Sequence, residues 1–95
     1  MSARVIIADG SVPKLPRHAK LRFDKPRDQW IILAPERVFE LDAVAYEVVS
    51  LCDGERTLEQ VVDTLADKFE SPREVIAKDV TEMLQGLADK GFLVA

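Results

Sequence analysis

The sequence predicts an α+β domain in which a three-stranded antiparallel sheet is followed by three helices. Up to residue 41, short apolar segments are separated by turn residues, and from residue 42 apolar residues recur at helical spacing. A third observation is the segment 51–57, Leu-Cys-Asp-Gly-Glu-Arg-Thr, which joins two apolar helical runs at 43–52 and 58–69. Gly54 suits a position of positive φ just past a helix end, and so short a connection requires the two helices to pack together.

Residues 1–16 are expected to form a flexible N-terminal arm, and residues 17–95 a single domain. Gly10, Pro13 and Pro16 interrupt any regular element in the arm. Its one apolar cluster, residues 5–7, is expected to dock on this subunit or on a neighbour, unless it is only a short frayed strand. Exchange of the arm between the two subunits of a homodimer is therefore a hypothesis.

Three strands are predicted from alternation and turns. Residues 19–24 alternate apolar and charged side chains, which is typical of a half-buried strand. Residues 29–33 are apolar on both faces, which favours a central strand, and residues 38–41 form a short third strand. Tight turns at 25–28 and 35–36 give an antiparallel meander in the order one-two-three. The aromatic residues of these strands are expected in the core: Phe23, Trp30 and Phe39.

The first two helices have clear starting signals. Asp42 is expected to cap the first helix, and Thr57 with Gln60 forms a capping box for the second. The second helix shows the most regular apolar period of the chain, and its predicted inner stripe is Leu58, Val61, Val62, Leu65, Ala66 and Phe69.

The third helix is predicted from residue 71 to residue 90. Ser71 is its expected cap, Pro72 its first-turn proline and Glu74 its capping-box glutamate. Gly91 is expected to end it, after which residues 92–94 fold back as an apolar tail.

The length and composition of the chain limit the kind of protein that it can be. Its 95 residues, 47% of them hydrophobic, fit one small packed domain. No apolar run approaches the roughly 20 residues of a membrane span, and no signal-peptide pattern opens the chain. A lone cysteine, Cys52, cannot form an internal disulfide, which agrees with a reducing compartment. A cytoplasmic protein is therefore expected.

The charge of the chain is unevenly distributed. Residues 1–41 carry a net charge of +3, and residues 42–95 carry −7. The helical part is therefore a poor candidate for binding a polyanion. The asymmetry fits either an ordinary solvated surface or a basic half that meets an acidic partner.

The inventory of reactive side chains does not support catalysis. His18 is the only histidine and Cys52 the only cysteine, so no cluster of several histidines or cysteines exists to hold a metal. The four glycines stand too far apart for a phosphate-binding loop. Cys52 falls on an apolar helical stripe and is expected to be a core residue. We therefore expect no enzyme activity, no metal and no cofactor.

Two features could carry binding of a peptide. The edge of the third strand can accept an extended peptide as an added strand, unless the third helix or the tail covers it. In the third helix, a face with Gly86 beside carboxylates forms a shallow strip, unless Gly86 is simply a tolerated surface glycine. Selective pockets are expected between Val38, Leu41, Val75 and Met83. The candidate peptide-binding residues are Glu36, Arg37, Val38, Phe39, Glu40, Leu41, Val75, Asp79, Glu82, Met83 and Gly86.

The chain resembles the PqqD family of pyrroloquinoline quinone (PQQ) biosynthesis, the founding family of peptide-recognition domains in ribosomal-peptide modification. The resemblance covers residues 13–94. It rests on three strands followed by a Leu41-Asp42 and Ala45 pattern, on the turn Leu51-Cys52-Asp53-Gly54, and on Asp79-Val80 with Leu84, Leu87 and Gly91-Phe92-Leu93.

The resemblance implies a winged-helix-like fold and a non-catalytic peptide chaperone. Such proteins bind the precursor peptide PqqA and present it to the radical SAM enzyme PqqE, which cross-links a Glu and a Tyr. In the wider family the peptide is added beside the third strand and lies against the third helix. On this chain those elements are residues 36–41 and the face that runs from Val75 to Gly86.

Two other classes share some of these features. A winged-helix DNA-binding regulator would have the same fold, but residues 71–90 hold three Lys/Arg against four Asp/Glu, whereas a recognition helix should be basic. An acyl- or peptidyl-carrier domain is also small and acidic, but it requires an Asp-Ser dipeptide, which this sequence lacks.

Overall fold

The computed structural model of the protein describes residues 5–95 and contains the predicted α+β architecture. The first four residues of the predicted arm lie outside the described part. The elements are β1 (Lys20–Asp24), β2 (Gln29–Ala34), β3 (Arg37–Leu41), α1 (Ala43–Ser50), α2 (Leu58–Phe69) and α3 (Arg73–Asp89). The prediction of a three-stranded antiparallel sheet followed by three helices is confirmed.

The sheet is a meander in the order β1-β2-β3, as predicted. Ile32 lies between Leu21 and Phe39 in the register, and the neighbouring position aligns Ile31 with Arg22 and Glu40. Because side chains alternate along each strand, these two rows lie on opposite faces of the sheet. Ile32 is fully buried in the main core, so its row faces the helices. The row that contains Ile31 therefore lies on the outer face.

The three helices share one core with the inner face of the sheet through apolar stripes. Val48 and Val49 of α1 are buried, as are four residues of α2 and the centre of α3. Two aromatic predictions were wrong, because Phe23 and Phe69 remain 38% and 39% exposed. Phe23 lies near the end of its strand, where it packs edge-on against Trp30 at 5.4 Å between ring centroids.

The helix starts follow the capping predictions in two cases out of three. The carboxylate of Asp42 accepts from the Ala45 backbone N–H at 2.7 Å, and both bonds of the Thr57–Gln60 capping box are present. The predicted Ser71 cap was wrong, since α3 begins without a side-chain cap. Instead, Glu70 adopts φ 51°, and the Ser71 N–H donates to the carbonyl of Ala66. Ser71 therefore helps to end α2.

The connection between α1 and α2 is longer than predicted, because α1 ends at Ser50 rather than at residue 52. Gly54 has the expected positive φ, 80°, but it belongs to a turn rather than to the helix end. The Asp53 carboxylate accepts from the backbone N–H groups of Glu55 and Arg56. These hydrogen bonds lower the pKa of Asp53, because they stabilise the charged form.

Cys52 is a core residue, as predicted, with 6% of its surface exposed. Burial, with a smaller contribution from the charge of Asp53, raises the pKa of the thiol to about 12. The thiolate that nucleophilic chemistry requires is therefore disfavoured at neutral pH.

The segment before β1 packs on the helices. Ile7 is 5% exposed, and the side-chain amide of Gln85 on α3 holds it by accepting from the Ile7 N–H and donating to the Val5 carbonyl. The carbonyl of Ser11 accepts from the N–H of Leu58 at the start of α2. Ile7 thus docks on its own subunit in this structure, whereas the side chains of Val5 and Ile6 remain exposed. Flexibility of the arm, its boundary at residue 16 and its exchange in a homodimer stay predictions.

Within residues 5–95, none of the helices has the length and apolar character needed to cross a bilayer.

Candidate functional site

The free edge of β3 is the most distinctive binding feature of the sheet. In the described part of the chain β3 pairs only with β2, so its other edge has no strand beside it. Ala34 and Arg37 flank a two-residue turn, which makes them a hydrogen-bonded pair, and such pairs alternate along an antiparallel ladder. The backbone N–H and C=O groups of Val38 and Glu40 therefore point to the open edge, ready to pair with an extended chain.

A face of α3 forms the second feature, which we call the α3 strip: Val75, Asp79, Glu82 and Gly86. Val75 is 52% exposed, and the two carboxylates are also exposed. A Cβ added at Gly86 would have no heavy atom within 4 Å. The α3 strip is therefore open, and Gly86 leaves a shallow place along it.

The C-terminal end of α3 lies beside β3. Lys90 follows Gly86 by one helical turn, so the two residues share a face. The Lys90 ammonium lies 5.0 Å from the ring centroid of Phe39 on β3. The C-terminal end of the face that contains Gly86 therefore borders β3.

Two cations and two aromatic rings, which we call the closing cluster, hold this end of α3 against the strand. Arg37 donates to the carbonyl of Lys90 and lies 4.3 Å from the ring centroid of Phe92, which in turn packs against Phe39 at 5.4 Å. Gly91, which lies between Lys90 and Phe92 in the chain, has φ 84°, and a Cβ added to it would lie 3.4 Å from a side-chain nitrogen of Arg37. Cation–π and aromatic contacts thus fix the spacing between β3 and α3 at this end.

Arg37 and Phe39 are among the binding residues predicted from the sequence, whereas Lys90 and Phe92 are not. The signal for Lys90 was its spacing of four from Gly86, which places it on the same face of the helix. Phe92 follows the helix-ending Gly91, and nothing in its position along the chain indicated contact with Arg37.

The structure does not assemble the predicted pockets from Val38, Leu41, Val75 and Met83. Val38 is 46% exposed on the outer face, whereas Leu41 is 2% exposed and faces the helices. Their side chains lie on opposite faces because they are three residues apart on a strand of period two. Met83 is half-buried against the core. Glu36 lies exposed in the β2–β3 turn with φ 63°.

The chemical groups near the edge suit binding rather than covalent chemistry. Among residues 5–95, no three His, Cys, Asp or Glu side chains come together in a way that could hold a metal ion. The exposed charges of the α3 strip are carboxylates, which would repel a nucleic-acid backbone. Arg73, at the start of α3, is already paired with Asp63 at 2.5 Å.

Comparison with known sequences gives a family match over most of the chain. The profile of the family described as Coenzyme PQQ synthesis protein D (PqqD) matches residues 29–93. A "PqqA binding protein" of Rhodopseudomonas palustris (strain BisB5) is 52% identical over 92 residues, which cover 97% of this chain and 90% of that protein. Another "PqqA binding protein", from Bradyrhizobium diazoefficiens, is 55% identical over 89 residues, covering 94% and 86% of the two chains.

Comparison with solved structures agrees with the fold. The solution NMR structure of the PqqD truncation of Methylobacterium extorquens PqqCD superposes with a TM-score of 0.81 at 38% identity, covering 97% of this chain and 98% of that one. That protein is described as a functional and stand-alone recognition element for ribosomally synthesized and post-translationally modified peptides.

Proposed function

Because this chain belongs to the PqqD family, we propose that it binds the precursor peptide PqqA in the synthesis of coenzyme PQQ. The structural observation that carries the proposal is the free edge of β3, which the C-terminal end of α3 borders at Lys90. An edge with unpaired backbone groups and an adjacent shallow surface is the arrangement that strand addition of a peptide requires.

In the proposed complex the peptide extends the sheet next to β3. Val38 and Glu40 exchange backbone hydrogen bonds with it, which gives affinity with little demand on the peptide sequence. Peptide side chains on the inner side of this added strand contact the α3 strip. There, Val75 offers an apolar surface and Gly86 leaves open space. The carboxylates of the strip favour basic or neutral groups on the peptide. Leu41 supports the edge without touching the peptide, since its side chain is buried and its backbone pairs with Trp30 of β2.

The remaining candidate residues have supporting roles in this proposal. Arg37 and Phe39 belong to the closing cluster and set the distance between β3 and α3. Glu36 shapes the turn that precedes the edge, and Met83 supports the α3 strip from its half-buried position.

We further propose that the protein is a non-catalytic chaperone that presents the bound peptide to the radical SAM enzyme PqqE. The names of the relatives describe binders, and the one thiol of the chain is buried with a raised pKa. The protein would then contribute position and conformation to the peptide, while the enzyme contributes the chemistry and its cofactors.

Amide chemical-shift mapping of the labelled protein during titration with PqqA tests the site. We expect the largest shifts at Val38, Glu40 and Gly86, because a peptide between β3 and α3 changes the surroundings of these backbone groups. The β1 edge is the internal comparison, since it too lacks a neighbouring strand among the described residues. If the largest shifts occur at residues 20–24, the peptide binds at the β1 edge and the proposed site at β3 is wrong.

A Gly86→Leu variant is expected to bind PqqA about tenfold more weakly, because a large side chain fills the open part of the α3 strip. Its stability should hold or rise by up to about 1 kcal/mol, since leucine favours a helix over glycine. Gly86→Ala is the matched control, which gains helix propensity but adds only a Cβ. Titration calorimetry and thermal melting separate the two effects, and unchanged peptide affinity in Gly86→Leu would remove α3 from the site.

A further inference from the structure

The outer face of the sheet, turned away from the helices, carries a second candidate surface. Ile31 is 6% exposed there although it does not belong to the main core cluster. It is flanked by Arg22 and Glu40, and the next row aligns Lys20, Leu33 and Val38. A cleft of about 560 Å³ is lined by Ile31, Leu33 and Val38, and a neighbouring cleft of about 440 Å³ shares Arg22 and Leu33 with it. The outer face thus has an apolar floor.

The cations around this floor exceed the carboxylates available to them. Arg27 lies 3.4 Å from Asp24 and 3.5 Å from Glu40, so both carboxylates near the first cleft are paired with one arginine. Across residues 5–95, no ion pair involves Lys20, Arg22 or Lys25. The second cleft also includes the carboxylate of Glu36, so Lys20, Arg22 and Lys25 stand against one further carboxylate. The outer face therefore presents an excess of positive charge, in contrast to the net −7 of residues 42–95.

The position of this face relative to the β3 edge is what gives it a role. A peptide added beside β3 continues the same sheet, and alternate side chains of that peptide project on the outer face. Val38 links the two surfaces, because its backbone points to the edge while its side chain lines the cleft. A protein docked on the outer face would therefore meet alternate side chains of the bound peptide.

We propose that the outer face docks the enzyme that modifies the peptide, through an enzyme surface that carries carboxylates around an exposed apolar side chain. This inference rests on the proposed function, since it assumes a peptide presented at β3. The apolar floor takes the apolar side chain, and Lys20, Arg22 and Lys25 pair with the carboxylates. Peptide and enzyme then occupy different surfaces and bind at the same time, which presentation requires.

An Arg22→Glu variant tests the proposal, with PqqE as the probe. Arg22 is exposed and has no ion pair among the described residues, so the change should leave the fold intact. We expect its affinity for PqqE to fall about tenfold at low ionic strength, with the deficit shrinking as salt screens the charges. Its affinity for PqqA should stay within about twofold of the wild type, because the peptide pairs with β3.

Lys78→Glu is the matched control, since it makes the same change of charge at an exposed lysine of α3. If Arg22→Glu and Lys78→Glu lose equal affinity for PqqE, the effect is one of net charge and the docking surface is wrong. The docking surface is also wrong if Arg22→Glu binds PqqE as tightly as the wild type. A loss of PqqA affinity alone would assign the outer face to the peptide. A loss of self-association in sedimentation, without change in PqqE binding, would assign it to a second copy of the chain.

The same measurements separate this inference from the proposed function. Wild-type protein that binds PqqA but not PqqE refutes the enzyme-docking surface and leaves the peptide site standing. Wild-type protein that binds no PqqA refutes the proposed function itself, whatever the variants do with the enzyme.

Discussion

Val38→Pro is expected to weaken PqqA binding by about tenfold to a hundredfold, because it removes a backbone donor that the added peptide strand would use. The lost hydrogen bond leaves a peptide carbonyl unpaired at the interface, a cost of about 1 to 3 kcal/mol, and each 1.4 kcal/mol is about tenfold in affinity. Titration calorimetry with PqqA measures the change directly.

The stability of the same variant should change little. Val38 is half-exposed, and its N–H points to the open edge rather than to β2, so no bond of the native ladder is lost. Val38→Ala is the matched control, since it removes most of the side chain but keeps the N–H. If Val38→Pro and Val38→Ala bind PqqA equally well, the backbone of β3 does not pair with the peptide.

Leu84→Ala is expected to lower the free energy of unfolding by about 3 to 5 kcal/mol, since it leaves a cavity where a fully buried side chain packs at the centre of α3. For a domain of this size each kcal/mol shifts the melting temperature by about 4 to 8 °C, so the midpoint should fall by about 12 °C or more. Denaturant and thermal unfolding followed by circular dichroism measure both quantities.

Val75→Ala is the control for this effect on the same helix. Val75 is 52% exposed, so its truncation should change stability by less than about 0.5 kcal/mol. A loss in Leu84→Ala no larger than that in Val75→Ala would contradict the packing of α3 into the core. The α3 strip would then lack the rigid support that the proposed peptide site requires.

Much of the fold could be read from the sequence, because its determinants are local. The turn residues and the alternation of β1 set the meander, since strand period and turn chemistry act over a few residues. Asp42 and Thr57 mark two helix starts by hydrogen bonds that reach only three residues along the chain. The resemblance to the PqqD family likewise rested on short patterns at fixed spacing, and the family match confirms it.

The errors arose where two local signals competed or where position in the fold decided exposure. Ser71 has the side chain of a helix cap, but its N–H completes the end of α2 because Glu70 turns the chain with positive φ. Phe23 has the spacing of a core residue but remains partly exposed near the end of its strand. Neither outcome depends on the residue type alone, so propensity and period could not decide them.

Part of the candidate site could be predicted from the sequence, and part depended on the tertiary structure. The sequence by itself indicated a β3 edge and an open face of α3, since both follow from element type and periodicity. Only the tertiary structure decided that Lys90 stacks on Phe39, that Arg37 reaches Phe92, and that Ile31 is buried on the outer face. These contacts join residues far apart in the chain, and the distance between such residues depends on how the helices pack on the sheet.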